Sequence, residues 1–195
     1  MNVRRRLLPL AIGALSQFVL AHSGWAETVL YRLGPDQGTL SFKATSRLMD
    51  ADGQFHRFRG EVRVDPNALE QAVVSLTIEA ASVDTGIRMR DNHLRSEDFF
   101  HASRFPHITF TSRRVAPADG KMLITGDLTL NGVSREVTVP VELEVTRESL
   151  RARGEFTIRM SDYGMNYRSF LNPLRDEVRI LFDFRGVPAP SGSAS

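Results

Sequence analysis

Residues 121–145 read KMLITGDLTLNGVSREVTVPVELEV. Met122, Ile124, Gly126, Leu128 and Leu130 share one parity ahead of the dipeptide Asn131-Gly132. Val137, Val139, Val141, Leu143 and Val145 share a parity behind it, set against Glu136, Thr138, Glu142 and Glu144. An alternation of period two marks strands with one dry and one wet face. Asn-Gly between two such runs signals a two-residue hairpin of type I′. The register follows: Leu130 faces Val133, Leu128 faces Arg135, Gly126 faces Val137, Ile124 faces Val139 and Met122 faces Val141. Arg135 is the one polar residue on the inward parity. It either sits at a barrel mouth and reaches to water or holds something anionic inside.

Working outward, the same period recurs. Val74, Leu76, Ile78 and Ala80 form one run, Ile108 and Phe110 another, and Phe156, Ile158 and Met160 a third. Val178, Ile180, Phe182 and Phe184 close the series. With extended segments near 28–33, 38–44 and 53–64 the chain has roughly eight or nine strands. One-faced strands in this number make an antiparallel sandwich or a closed barrel.

The chain has 195 residues and no cysteine. That excludes a disulfide scaffold, a thiolate zinc site and a cysteine nucleophile. Its 25 basic against 23 acidic residues and isoelectric point near 9.4 invite a nucleic-acid reading. Residues 1–26, however, read as a secretory signal, with Arg4, Arg5 and Arg6 ahead of the apolar run Leu7–Leu20 and small residues at Gly24 and Ala26. That run is shorter than the roughly 20 residues a membrane-spanning helix needs. The segment is therefore expected to be cleaved, leaving a soluble periplasmic protein that is not integral to the membrane. It holds three arginines and no acid, so the remainder carries 22 basic and 23 acidic residues. The case for nucleic acid leaves with the signal. The expected domain is 27–187. Pro188–Ser195, small and polar, reads as a frayed tail.

The alternation fails in one place. Residues 83–106, VDTGIRMRDNHLRSEDFFHASRFP, have helical spacing. Ser96 ahead of Glu97 and Asp98 resembles a helix N-cap with an acidic first turn, and one or two short inserted helices are expected. Arg88, Arg90, Asp91, His93 and Arg95 form the densest charged group. Arginine forks match phosphate oxygens, but the cluster reads equally as a solvated helix face with local ion pairs. His93, His101 and His107 fit no metal-ligand spacing. In Asp50-Ala51-Asp52-Gly53 the glycine falls too early for a calcium loop, and the stretch reads as a turn. G-x-S-x-G, P-loop and dinucleotide-binding patterns do not occur. No catalytic residue, metal or cofactor is nominated.

Four stretches together resemble one family. They are Gly53-x-Phe55-x-x-Phe58-x-Gly60; Ser82 to Gly86 running into Arg90-Asp91-x-His93-Leu94-Arg95-Ser96-x-Asp98-Phe99-Phe100 and Phe105-Pro106-x-Ile108-x-Phe110-x-Ser112; Gly126 to Val133 with Arg135 and Val137; and Arg159-x-x-Asp162-Tyr163-Gly164. They resemble the YceI-like family of exported, lipocalin-like proteins, over about residues 28–186. The resemblance implies an all-β, eight-stranded antiparallel lipocalin-like barrel. It also implies a long polyisoprenoid inside, such as a quinone tail or a polyprenyl phosphate, and a binding or carrier role without covalent chemistry.

A barrel of about eight strands is just wide enough for one small ligand. The inward candidates for an apolar cavity are Phe42, Leu76, Ile78, Phe110, Ile124, Leu128, Val139, Val141, Phe156, Ile158, Ile180 and Phe182. Arg90, His93 and Arg135 are the candidates for the polar end. Arg90 with Asp91 or Asp98 could equally be a structural pair that pins the helical segment over the barrel. The expected partner is an isoprenoid or another long-chain amphiphilic lipid. Dimerisation through an edge strand or a barrel end is compatible with the sequence, and no feature demands it. Two rivals stand beside this reading. A periplasmic hydrolase or isomerase on a lipid-like substrate would use the Arg/Asp/His cluster. A sealed-core interaction module would have a packed interior.

Overall fold

A computed structural model describes residues 28–46, 50–165 and 174–190. The expected signal 1–26 and the end of the tail, 191–195, lie outside the described residues. Eleven strand segments form one antiparallel sheet: β1 (Val29–Leu33), β2 (Gly38–Ser46), β3 (Ala51–Phe55), β4 (Phe58–Asp65), β5 (Ala68–Glu79), β6 (Val83–Asp84), β7 (His107–Ala118), β8 (Lys121–Leu130), β9 (Val133–Val145), β10 (Leu150–Arg159) and β11 (Leu174–Pro188). One helix, α1 (Arg88–Arg95), lies between β6 and β7.

Three pairs of segments act as single interrupted strands. β1 and β2 are separated by a 3-10 turn at Pro35–Gln37, and both pair with β11. β4 pairs with β1, and β3 with β2. β5 and β6 continue this pattern against β4 and β3. The result is an eight-stranded meander that closes where β11 meets β1 and β2. Closure pairs the first strand with the last.

The hairpin register read from the sequence is the register found, from Leu130 opposite Val133 to Met122 opposite Val141. Asn131 and Gly132 take φ of 51° and 74°, as a type I′ turn requires. Gly132 also leaves room for the Phe105 ring, which an added Cβ would meet at 2.5 Å.

Three expectations need correction. Ser96 ends α1 rather than starting it: its N–H and its hydroxyl both donate to the His93 carbonyl, and its backbone is extended. Residues 51–53 are strand, not turn, because Gly53 pairs with Phe42 and Asp52 with Lys43 across β2 and β3. The wall also runs further than expected. Pro188 pairs with Tyr31, and the Ala189 N–H donates to the Leu30 carbonyl, so the first two residues of the expected tail belong to the barrel.

Two seams are incomplete, and β5 and β7 pair only from Ser75 opposite Thr111 to Glu79 opposite His107. β9 and β10 pair only from Val145 opposite Leu150 to Val141 opposite Gly154. Counted from the turn-flanking pair Leu130–Val133, the backbone groups of even-numbered β9 residues point towards β10. The next such position is Pro140, which has no N–H to give. Beyond it, side chains bridge from the hairpin to the 3-10 turn Met160–Tyr163 that follows β10. Asn131 Nδ2 donates to the Tyr163 carbonyl at 3.2 Å, and Arg135 Nε to the Asp162 carbonyl at 3.1 Å.

Candidate functional site

Inward alternation around a closed sheet concentrates apolar side chains in one place. They do not fill it. A cavity of about 430 Å³ runs through the barrel, within the roughly 300–1,000 Å³ of typical ligand pockets. A sealed core is therefore not what this chain builds.

All twelve inward candidates line the cavity. Phe42 comes from β2, Leu76 and Ile78 from β5, Phe110 from β7, and Ile124 and Leu128 from β8. Val139 and Val141 come from β9, Phe156 and Ile158 from β10, and Ile180 and Phe182 from β11. Inward glycines give the rings their room: a Cβ on Gly154 would meet the Phe182 ring at 2.9 Å.

Other lining residues escaped the sequence reading. Phe99 and Phe100 follow α1, and Met160 and Met165 follow β10. Phe99, Phe100 and Met165 lie outside the strands, where no period points them inward, whereas Met160 continues the parity of Phe156 and Ile158. The repeated pair Phe99-Phe100 was the available signal. Phe100 packs edge-on against Phe55, their centroids 5.6 Å apart.

The two ends of the cavity differ. At one end Tyr31, Val64 and Leu150 are 0–1% exposed. Tyr31 and Leu150 close over Gly186, where a Cβ would meet their own Cβ atoms at 2.9 and 3.2 Å. The Tyr31 hydroxyl donates to the Thr146 carbonyl, and burial pushes its phenol above the ordinary value. The other end lies beside α1, where Ile87, Arg90, His93 and Leu94 join the lining. Ile87 is 44% exposed, so among the described residues the lining reaches the surface at this end.

Polar contacts hold α1 there. Thr85 is the centre. Its N–H and hydroxyl both donate to Asp91 Oδ1, at 2.8 and 2.6 Å. Arg90 then donates to Thr85, through Nε to Oγ1 at 2.8 Å and Nη2 to the carbonyl at 3.0 Å. Asp91 is buried, with two donors on its Oδ1. Arg90 and Asp91 thus pin the helix through a shared threonine rather than by the direct pair expected. Arg95 adds donors to the Ala81 and Val83 carbonyls, at 2.9 and 2.7 Å. His93 meets Asp98 at 3.0 Å and stands edge-on to Phe99.

Of the three polar candidates, Arg90 and His93 line the cavity and Arg135 does not. Arg135 is exposed and donates to the Asp162 carbonyl across the seam. Its inward parity is real, since it lies opposite Leu128. It stands where β9 and β10 no longer pair, so its long stem carries the guanidinium out of the barrel.

Comparison with known proteins gives the same architecture. Protein YceI of Escherichia coli O157:H7 is 36% identical over 143 residues, covering 69% of this chain and 73% of the relative. The crystal structure of Burkholderia cenocepacia BcnA superposes with a TM-score of 0.73 at 28% identity, covering 78% of this chain and 98% of that one. A polyisoprenoid-binding domain from Saccharophagus degradans, implicated in plant cell wall breakdown, superposes with a TM-score of 0.67 at 17% identity. It covers 84% of this chain and 100% of that one, and at that identity it speaks to fold alone. The model of the YceI-like domain matches residues 31–185, nearly the whole barrel wall, and the chain belongs to the YceI-like family.

Proposed function

We propose that this protein is a periplasmic binding or carrier protein for a polyisoprenoid lipid, a quinone tail or a polyprenyl phosphate, held inside the barrel. The observation that carries this reading is the continuous apolar cavity, closed at one end by packed side chains and open beside α1. An elongated chain could enter such a tube tail first. Each five-carbon isoprene unit taken out of water contributes about 4 kcal/mol at roughly 0.8 kcal/mol per carbon, before the cost of ordering the chain. Arg90 and His93 stand at the open end, where a polar head group would rest. The polyisoprenoid binding named for the Saccharophagus degradans domain agrees with this class of ligand. The periplasmic placement rests on the signal-like residues 1–26.

Binding is favoured over catalysis because the polar cluster has a structural task. Asp91 and Arg90 spend their hydrogen bonds on Thr85. The test begins with protein purified from the periplasm of its own host and extracted with organic solvent. Mass spectrometry should find a prenyl lipid. No prenyl lipid in the extract, together with no binding of added prenyl lipid, overturns the proposal. Ile124→Trp, which fills the cavity from the middle of β8, should weaken prenyl binding at least tenfold while leaving a folded barrel by circular dichroism.

A further inference from the structure

Among the described residues four large apolar side chains are strongly exposed: Val73, Ile87, Met89 and Val187. Two stand singly on the outer wall, Val73 opposite Arg63 and Val187 opposite Arg32. Single exposed apolar residues are ordinary. Ile87 and Met89 are different. They flank Arg88 within Gly86–Met89, a stretch exposed throughout, and Met89 is 82% exposed. Ile87 also lines the cavity, so apolar surface continues from the interior onto the rim.

Arg88 and Arg90 bring two positive charges to this rim, beside Asp84 and the buried Asp91. Arg88 makes no ion pair or side-chain hydrogen bond among the described residues. Arg90 beside it is held by Thr85, with both of its contacts to neutral oxygens. The neighbouring acids are committed elsewhere: Asp91 is buried on Thr85, and Asp84 meets His56 at 2.9 Å. Glu97 and Asp98 lie past the far end of α1, about 10 Å of helix away from Arg88. An apolar pair set among cations, at the open end of an apolar tube, has the chemistry of a surface that enters an anionic lipid interface.

We propose that Ile87–Met89 is a membrane-docking rim. Ile87 and Met89 enter the head-group region of an anionic bilayer, Arg88 faces lipid phosphates, and a prenyl chain passes between bilayer and cavity without crossing water. The last step rests on the lipid-carrier reading; the docking does not.

The test uses the full chain with three measurements. Flotation with vesicles of phosphatidylethanolamine and phosphatidylglycerol, against phosphatidylcholine alone, reports docking. Transfer of a nitrobenzoxadiazole-labelled geranylgeranyl probe between anionic vesicles reports delivery. Uptake of the same probe from cyclodextrin reports the cavity without a membrane. Wild type should float with the anionic vesicles, and less so as salt rises. Met89→Asp and Arg88→Glu should each lower transfer at least tenfold and leave uptake from cyclodextrin within twofold. Wild type that does not float, or Met89→Asp with unchanged transfer, overturns the proposal. Equal flotation with both vesicle types overturns the role given to Arg88. Failure of wild-type uptake from cyclodextrin counts against the lipid reading alone, because flotation needs no cargo.

Discussion

The two ends of this barrel are closed by different physics. At the β1 end, Tyr31, Val64 and Leu150 pack with almost no exposure. At the α1 end, a threonine, two arginines and an aspartate do the holding. Apolar packing is non-directional and seals best where every side chain is enclosed. Hydrogen bonds to backbone and to Thr85 fix a helix in place without filling the space beneath it. The sealed end supplies stability. The polar-held end keeps an apolar interior open.

The largest expected effect breaks the sealed end. Leu150→Ala leaves a void among Tyr31, Gly186 and Val145, and should cost about 2–5 kcal/mol in urea unfolding. An effect under 1 kcal/mol would mean that this end is not the packed one. The open end should respond less. Asp91→Ala strands the Thr85 N–H and hydroxyl and should cost about 1–3 kcal/mol. Hydrogen exchange should speed up first around residues 85–95, with the β1 end protected, and a bound prenyl probe should leave faster. Uniform loss of protection along the chain would erase the distinction between the ends.

A smaller effect is expected at the seam. Arg135→Ala removes one exposed bond to the Asp162 carbonyl and should cost about 0.5–1.5 kcal/mol or less. Prenyl binding should stay unchanged, since Arg135 lies outside the cavity. A clear loss of binding would bring it back as a ligand contact.

The smallest effect is a pH dependence, carried at the open end by Asp176 and Asp84 and on the wall by Glu142 and Asp183, which Arg153 and Arg151 hold below their ordinary values. Asp176 accepts from the Ser161 N–H and hydroxyl, at 2.8 and 2.6 Å, and these bonds hold its carboxyl below the usual value of 3.8. Asp84 is lowered too, by the Gly86 N–H first and then by His56. A carboxyl lowered on folding stabilises fully above its unfolded value, and that support drains away as pH falls through the folded one. Below about pH 4 the Met160–Tyr163 turn and the 84–86 loop should therefore loosen, and the Glu142–Arg153 and Asp183–Arg151 pairs on the wall should weaken with them. Amide exchange measured at pH 5 and pH 3 checks this.

Much of this was legible in the residues. Period-two alternation, together with Asn131-Gly132, specified the β8–β9 hairpin to the residue, and parity placed twelve side chains on the cavity wall. Both depend on nearest neighbours along one or two strands. Arg135 shows where that logic stops. Its parity was correct, but the ladder beside it had ended at Pro140, and a long side chain at an open seam turns outward. Ser96 failed for a similar reason: a serine followed by acids fits the start of a helix, and only the path of the chain showed α1 already complete.

The sequence by itself determined the strands, their faces and the inward apolar set, because alternation is a local consequence of the pleat. Tertiary structure alone decided that the interior stays partly empty, which end is sealed, and that Arg90 and Asp91 meet on Thr85. Cavity volume depends on how closely eight strands approach around a closed ring. The Thr85 contacts depend on where β6 delivers α1. The cavity width is encoded in no run of neighbouring residues, and the Thr85 contacts, though only five and six residues apart, follow no period that the sequence displays.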